Sequence, residues 1–187
     1  MQGYFAIFIL AVIILSVLFR TFQMKKTGIE ALNFGKIDKK DFFIPPFVLL
    51  YFYLIIANTF NLPRFGKVLT SDSIISWIGV ILCIFALVLF LWGIASFGKS
   101  FRVGIDLHKP GKLIFTGVFS ISRNPLYVAF FMILIGIFLI FPTWIFFIYF
   151  VAGLWLIDRQ VCREENSLRS IYGKEYDDYC NKVNRYI

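Results

Sequence analysis

Two polar segments flank one long apolar run and bring together residue types that could do chemistry. Arg123-Asn124-Pro125 precedes the run, and Arg163-Glu164-Glu165 follows it. The run extends from Leu126 to Ile157 and is interrupted only by Pro142-Thr143. A helical hairpin returns to the side it left, so a hairpin here would place both polar segments at one face of a membrane. We predict a reactive site at that face.

Asn124 and Pro125 form a helix-start pattern, an N-cap residue followed by proline at the first helical position. The helix that begins there would present its positive dipole end and unpaired N–H groups beside Arg123. Such an arrangement suits a carboxylate or a phosphate. The same residues also suit a simple capped membrane helix whose arginine reaches toward the interface.

The adjacent carboxylates Glu164 and Glu165 could accept hydrogen bonds from ribose hydroxyls or from an ammonium group. They could equally form the solvated start of a surface helix. Arg159 and Arg163 lie four residues apart, on one face of a helix, and could clamp an anionic substrate. Interfacial arginines that follow a membrane span also act as orientation signals.

Tyr176 and Tyr179 are candidates for holding a cation such as a sulfonium against their rings, and the alternative is that they are core residues of a tail helix. The single histidine, His108, lies in a turn-like segment, for which a structural role is favoured. No metal site is predicted, because none of the three cysteines has metal-ligand spacing.

The composition is that of an integral membrane protein. The chain has 187 residues, of which 59% are hydrophobic and only 16% charged, and its mean hydropathy is +0.79. Apolar runs near the ~20 residues that cross a bilayer predict membrane helices. They cover 3–19, 42–60 and 74–97.

The run from Leu126 to Ile157 would be about 48 Å long as one helix. That length is too great for one upright span, so we interpret it as a hairpin that turns at Phe141-Pro142-Thr143, with spans over 125–141 and 143–157. The alternative is one long, kinked helix, which would move the tail to the opposite side.

Charge placement favours five spans over four. With five spans, 17 of the 19 basic residues lie on one side, and only Arg64 and Lys67 lie on the other. By the positive-inside rule the N-terminus is then outside and the tail cytoplasmic. The 17 are Arg20, Lys25, Lys26, Lys36, Lys39, Lys40, Lys99, Arg102, Lys109, Lys112, Arg123, Arg159, Arg163, Arg169, Lys174, Lys182 and Arg185.

The predicted fold class is therefore an all-α, multi-pass integral membrane protein. It is one domain over 1–187, with five transmembrane helices, a C-terminal helical hairpin and a cytoplasmic amphipathic tail. The segments 98–124 and 158–187 face the cytoplasm and form the site, and Gly173 is a candidate cap within the tail. Nucleic acid is excluded as a partner because the basic residues are divided among juxtamembrane segments. Membrane lipids are the expected surroundings, and no oligomeric state is predicted.

Three blocks in order resemble the isoprenylcysteine carboxyl methyltransferase family and its relatives among membrane phospholipid methyltransferases. The first is Phe97-Gly98-Lys99-Ser100-Phe101 with Gly111-Lys112-Leu113. The second runs from Thr116-Gly117 through Arg123-Asn124-Pro125-Leu126-Tyr127. The third runs from Glu164-Glu165 through Leu168 and Tyr172-Gly173-Lys174-Glu175-Tyr176 to Tyr179, then Arg185. The blocks depart from the family at Phe119, where a tyrosine is usual, and at Asn124, where a histidine is known.

The resemblance implies a membrane methyltransferase that uses S-adenosylmethionine and takes a lipophilic acceptor from the bilayer. A carboxylate acceptor is already ionised at neutral pH and needs no general base, and Arg159 or Arg163 would orient it. The alternatives are a phospholipid or small-lipid N-methyltransferase, or a membrane scaffold without activity. The residues expected at the cofactor are Leu113, Gly117, Arg123, Asn124, Pro125, Tyr127, Glu164, Glu165, Leu168, Tyr176 and Tyr179.

Overall fold

The computed structural model describes residues 1–26, 44–63, 66–70, 72–98 and 112–187. Within these ranges the chain is helical and contains no β-strand beyond one isolated bridge between Val68 and Thr143. Lys99, His108 and the rest of 99–111 lie outside the described residues, as do 42–43 of the predicted second span. The helices are α1 (Gln2–Lys26), α2 (Ile44–Thr59), α3 (Ser73–Phe97), α4 (Pro125–Ile140), α5 (Trp144–Tyr172) and α6 (Lys174–Cys180), with a short 3-10 helix at Gly117–Ser120.

The contacts between α1, α2 and α3 define the direction in which each helix runs. Gln2 contacts Ser73 at the start of α3, and Arg20 donates to the Gly98 carbonyl at its end, so α1 and α3 are parallel. The rings of Tyr4 and Phe60 are 5.6 Å apart, which places the start of α1 beside the end of α2. Neighbouring segments of the chain therefore run in alternating directions.

Helices α3 and α4 pack against each other at glycines. A Cβ at Gly79 would lie 2.5 Å from the Gly136 carbonyl oxygen, and a Cβ at Gly136 would lie 2.5 Å from Cys83 Sγ. Nearer the other end, Gly93 faces Leu126, so the two helices are antiparallel. Small residues let helix backbones approach closely where lipid offers no hydrophobic drive for association, and here they fix the position of α4.

The C-terminal hairpin turns at Phe141-Pro142-Thr143, as predicted. Helix α4 ends at Ile140 and α5 begins at Trp144. The two helices pack antiparallel, since the ring centres of Phe138 and Phe147 are 5.7 Å apart and Gly153 lies against Leu134. The alternative of one long kinked helix is therefore wrong.

Helix α5 does not end where the apolar run ends at Ile157. It continues to Tyr172, a total of 29 residues, because 158–172 contains many good helix formers and neither glycine nor proline. Gly173 then ends the helix with φ +53° and donates its N–H to the Arg169 carbonyl. The predicted cap at Gly173 is confirmed, and the predicted boundary at Ile157 marks only a change from apolar to polar residues.

Within the described ranges, three helices, α1, α3 and α5, are long and apolar enough to cross a membrane, and α2 and α4 are shorter apolar helices. Leu54, Phe90, Ile137 and Phe146 are among the fully buried core residues. Many large apolar side chains on the outer faces are exposed, which suits surrounding hydrocarbon. These include Phe8, Phe85, Ile148 and Trp155.

Candidate functional site

The start of α4, the polar part of α5 and the last residues of the chain meet at one end of the helix bundle. The chain enters α4 through a tight turn in which the Asn124 N–H donates to Ser122 Oγ at 3.1 Å. The Arg123 N–H donates to the Asn184 carbonyl at 3.0 Å. The C-terminal residues thus contact the backbone immediately before the helix.

Asn124 occupies the predicted N-cap position, but its side chain does not cap the helix. Its Nδ2 donates instead to Glu165 Oε1 at 3.0 Å and to the Arg185 carbonyl at 3.1 Å. Pro125 follows as the first helical residue, as expected. The Asn124 amide therefore connects the two ends of the hairpin. The prediction of an N-cap did not include this role.

Glu165 is the buried centre of the site, with 6% of its surface exposed. Its Oε2 lies 3.0 Å from both Nε and Nη2 of Arg185, and its Oε1 lies 3.3 Å from Arg123 Nη2. Burial of a carboxylate is costly unless charges and hydrogen bonds compensate it. Here two guanidinium groups and the Asn124 amide do so.

Glu164 has a different environment from its neighbour. Its Oε1 accepts from the Tyr127 hydroxyl at 2.6 Å and from Gln160 Nε2 at 3.1 Å. Burial raises the pKa of the Glu164 carboxyl, and those two hydrogen bonds and the charge of Arg163 offset part of the rise. Glu164 lies beyond the apolar part of α5, and the charge of Arg163 acts on its carboxyl, whereas Glu165 is paired with Arg123 and Arg185.

Tyr176 and Tyr179 of α6 form a buried wall beside this cluster. The Tyr179 hydroxyl donates to the Phe119 carbonyl at 2.6 Å, and burial raises the pKa of Tyr179 to about 12, with the charge of Arg123 opposing the rise. Burial also raises the pKa of Tyr176. Both side chains are core residues of the tail, which is the alternative that the sequence analysis gave to a cation site.

The segment before α4 is held against α3. Gly117 has φ +65°, a left-handed backbone conformation that favours glycine, and a Cβ there would lie only 2.7 Å from Ser96 Oγ. Glycine therefore suits both the backbone conformation and the lack of space at this position. The rings of Phe119 and Phe97 are 4.6 Å apart. Leu113, in this segment, and Leu168, on α5, are half-buried.

The two candidate substrate arginines both lie on the polar part of α5 and are half-buried. The charge of Arg163 acts on Glu164 and lowers its pKa. The Arg159 guanidinium carbon lies 6.0 Å from the centre of the exposed Trp155 ring. Arg163 therefore belongs to the Glu164 end of the site, and Arg159 lies toward the apolar part of the helix.

Sequence reasoning missed Arg185, Gln160 and the pair formed by Tyr186 and Asp158. The Tyr186 hydroxyl donates to Asp158 Oδ1 at 2.6 Å, and its ring lies 5.2 Å from that of Phe131. The only sequence signal was the final arginine of the third resemblance block. Among the described residues, no group of three or more His, Cys, Asp and Glu side chains is placed to hold a metal ion.

A family model described as phospholipid methyltransferase matches residues 74–175, more than half of the chain. The chain belongs to the phospholipid methyltransferase family. The matched range contains all of α3 except Ser73, the turn before α4, the hairpin and both carboxylates of the site. The predicted membership of this group of membrane methyltransferases is thereby confirmed.

Relatives of this family member include two rice proteins, from Oryza sativa subsp. indica and subsp. japonica. Each is described as a probable protein-S-isoprenylcysteine O-methyltransferase and is 29% identical over 112 residues. The match covers 58% of this chain and 59% of each relative, so the chain spans less than two thirds of the relatives' length.

A solved structure of a eukaryotic intramembrane Ras methyltransferase, isoprenylcysteine carboxyl methyltransferase, has a similar fold. The TM-score is 0.62 at 23% sequence identity, and the match covers 82% of this chain and 57% of that one. At this identity the likeness concerns the fold alone. It supports the all-helical membrane architecture.

Proposed function

We propose that this protein is a membrane methyltransferase that uses S-adenosylmethionine to methylate a lipophilic acceptor. The observation that carries the proposal is the meeting of Arg123, Glu164 and Glu165 at one end of the helical hairpin in a member of this family. The rice relatives' descriptions suggest the acceptor, the carboxylate of an isoprenylated cysteine.

The residues of the site fit the charged groups of S-adenosylmethionine. Arg123 Nε is buried and has no hydrogen-bond partner among the described residues, so it is available for the carboxylate of the cofactor's amino-acid part. A buried, unpaired donor is costly unless a ligand satisfies it. Glu164 is a carboxylate that suits the ammonium group or the ribose hydroxyls.

When bound, S-adenosylmethionine supplies an electrophilic methyl group on a sulfonium. Arg123 and Glu164 would hold the cofactor's polar groups, while the buried Tyr176 and Tyr179 exclude water from the α6 side. Arg163 would align the acceptor carboxylate through its planar fork. Such an acceptor is already ionised at neutral pH, so the chain's contribution is positioning and exclusion of water.

A second candidate is N-methylation of a lipid amine, which the description of the matching family model favours. That reaction requires a proton acceptor. Glu164 suits this role better than Glu165, because burial raises the pKa of Glu164, whereas Glu165 is held in two ion pairs.

One experiment separates the two acceptors. The purified protein is incubated with methyl-radiolabelled S-adenosylmethionine, a crude lipid extract and a prenylated cysteine, and the labelled product is treated with base. Release of the label indicates a methyl ester, and retention indicates an amine. No transfer of label to any lipid or prenylated carboxylate would contradict the proposed activity.

We also propose that the apolar helices α1 to α5 all cross the bilayer, with the N-terminus outside and the tail cytoplasmic. The alternating directions of the helices support this, as does the 17-to-2 division of basic residues. In a variant without native cysteines, Leu62→Cys and Asn181→Cys would be labelled by impermeant reagents from opposite faces. Labelling of both from the same side would contradict the topology.

A further inference from the structure

The ion pairs around Glu165 are unequal. Arg185 directs two nitrogens at Oε2, each at 3.0 Å, whereas Arg123 contributes one nitrogen at the longer distance of 3.3 Å. Among the described residues at this centre, two guanidinium groups share one carboxylate, which leaves one positive charge in excess. That charge belongs to the arginine that is less fully engaged, Arg123.

Hydrogen bonds of the Arg185 backbone and of its two neighbouring residues hold Arg185 at this position. The Arg185 carbonyl accepts from Asn124 Nδ2 at 3.1 Å and from Ser122 Oγ at 3.4 Å. The preceding carbonyl, of Asn184, accepts from the Arg123 N–H. The next residue, Tyr186, is bonded to Asp158, so contacts on both sides of Arg185 join it to α4 and α5.

We infer that Arg185 is a positioning residue that occupies Glu165 and so keeps Arg123 available for the cofactor's carboxylate. Without Arg185, Glu165 would retain a buried negative charge whose nearest remaining cation is Arg123. Arg123 would then move into a forked pair with Glu165, and its Nε would lose the role of ligand donor. The inference rests on the proposed function, since it assumes that the site binds S-adenosylmethionine.

Two ligands, S-adenosylhomocysteine and methylthioadenosine, differ in the carboxylate that Arg123 is proposed to bind. S-adenosylhomocysteine carries the amino-acid carboxylate, and methylthioadenosine lacks it while keeping the adenosine and the sulfur. Calorimetry on the full-length protein in detergent should show that Arg185→Gln weakens binding of the first by about tenfold or more. Binding of methylthioadenosine should change by less than about twofold, which also reports that the variant is folded.

A double variant provides a second test of the inference. In Arg185→Gln/Glu165→Gln the charge that captures Arg123 is gone, so S-adenosylhomocysteine should bind at least about threefold better than to Arg185→Gln alone. A residue that only stabilised the fold would give no recovery. Equal or weaker binding by the double variant would overturn the inference.

The remaining outcomes are also decisive. If Arg185→Gln binds neither ligand, Arg185→Lys is the deciding variant: it keeps the charge but loses the fork. Its preference for S-adenosylhomocysteine over methylthioadenosine should fall at least about threefold, and an unchanged preference would refute the inference. Failure of the wild type to bind S-adenosylhomocysteine would instead refute the proposed function.

Discussion

The Tyr127 hydroxyl donates to Glu164 Oε1 at 2.6 Å and joins the first turn of α4 to the polar part of α5. The two residues are 37 positions apart in the chain, and the hairpin brings them together. The hydrogen bond stabilises the ionised form of a carboxyl whose burial favours the neutral form. The protonation state of the Glu164 carboxyl therefore depends on its hydrogen bond with Tyr127.

Tyr127→Phe should raise the pKa of Glu164 further, because the bond it removes lowers that pKa. If ionised Glu164 binds the cofactor, affinity for S-adenosylhomocysteine rises as pH rises through this pKa. The midpoint of that rise should move to higher pH in Tyr127→Phe. Calorimetry over a pH series measures it, with the exposed Tyr53→Phe as the matched control. An unshifted midpoint would separate Glu164 from cofactor binding.

Glu164→Gln should not destabilise the protein at neutral pH. The folded-state pKa of Glu164 is raised, so its favourable contribution to stability is complete below the unfolded pKa. That contribution is lost as pH rises through the folded pKa. Gln cannot ionise and can still accept from Tyr127, so the variant should melt at or above the wild-type temperature, increasingly so as pH rises through this window. Melting curves in detergent at several pH values test this, and a lower melting temperature at neutral pH is the contrary result.

Glu165→Gln should behave in the opposite way. It leaves two guanidinium groups without their carboxylate, and the Arg123 side chain is only 11% exposed. We expect a loss of about 1–3 kcal/mol in unfolding free energy, below the value for a fully buried pair because Arg185 is partly solvated. The exposed Glu175→Gln is the control, and equal melting temperatures for the two variants would count against the ion cluster.

Gly79→Ala should destabilise the packing of α3 on α4. The added Cβ would lie 2.5 Å from the Gly136 carbonyl oxygen, which belongs to the backbone and cannot rotate away. We expect a loss of about 1–3 kcal/mol. Gly153→Ala, whose Cβ would meet only the end of the Leu134 side chain, should cost less. Thermal unfolding of the two variants shows which is less stable. A lower stability of Gly153→Ala would contradict the close packing of α3 on α4.

Arg163→Lys should lower turnover by about tenfold or more and leave S-adenosylhomocysteine affinity intact, since lysine keeps the charge but not the planar fork. Arg159→Lys, on the side of Trp155, should lower turnover less. Steady-state assays with a prenylated carboxylate substrate measure both. Full activity of both variants, or a preference for an amine lipid, would favour N-methylation.

The hairpin and the existence of the long apolar helices were accessible from the sequence because they depend on local signals. Pro142 inside an apolar run predicts a turn, and apolar length predicts helices. The apolar run ends at Ile157 but the helix ends at Tyr172, because hydropathy reports the surroundings of a segment, whereas continuation of a helix depends on backbone propensity. The roles of Asn124 and Arg185 were not accessible, since their partners are separated from them by 20 to 61 residues. Only tertiary contact determines which of several polar groups each one meets.

The unbroken course of α5 has a consequence for how the protein responds to its surroundings. Its 29 residues form a rod of about 43 Å, of which only the apolar part, 144–157, about 21 Å long, would lie in the hydrocarbon layer. The lipid-embedded half and the half that carries Glu164 and Glu165 therefore tilt as one body. Hydrophobic mismatch and packing against the neighbouring helices together determine how a membrane helix tilts. We expect any tilt of α5 that a change in lipid chain length produces to move the carboxylates with it, a mechanical input that needs no ligand at the site.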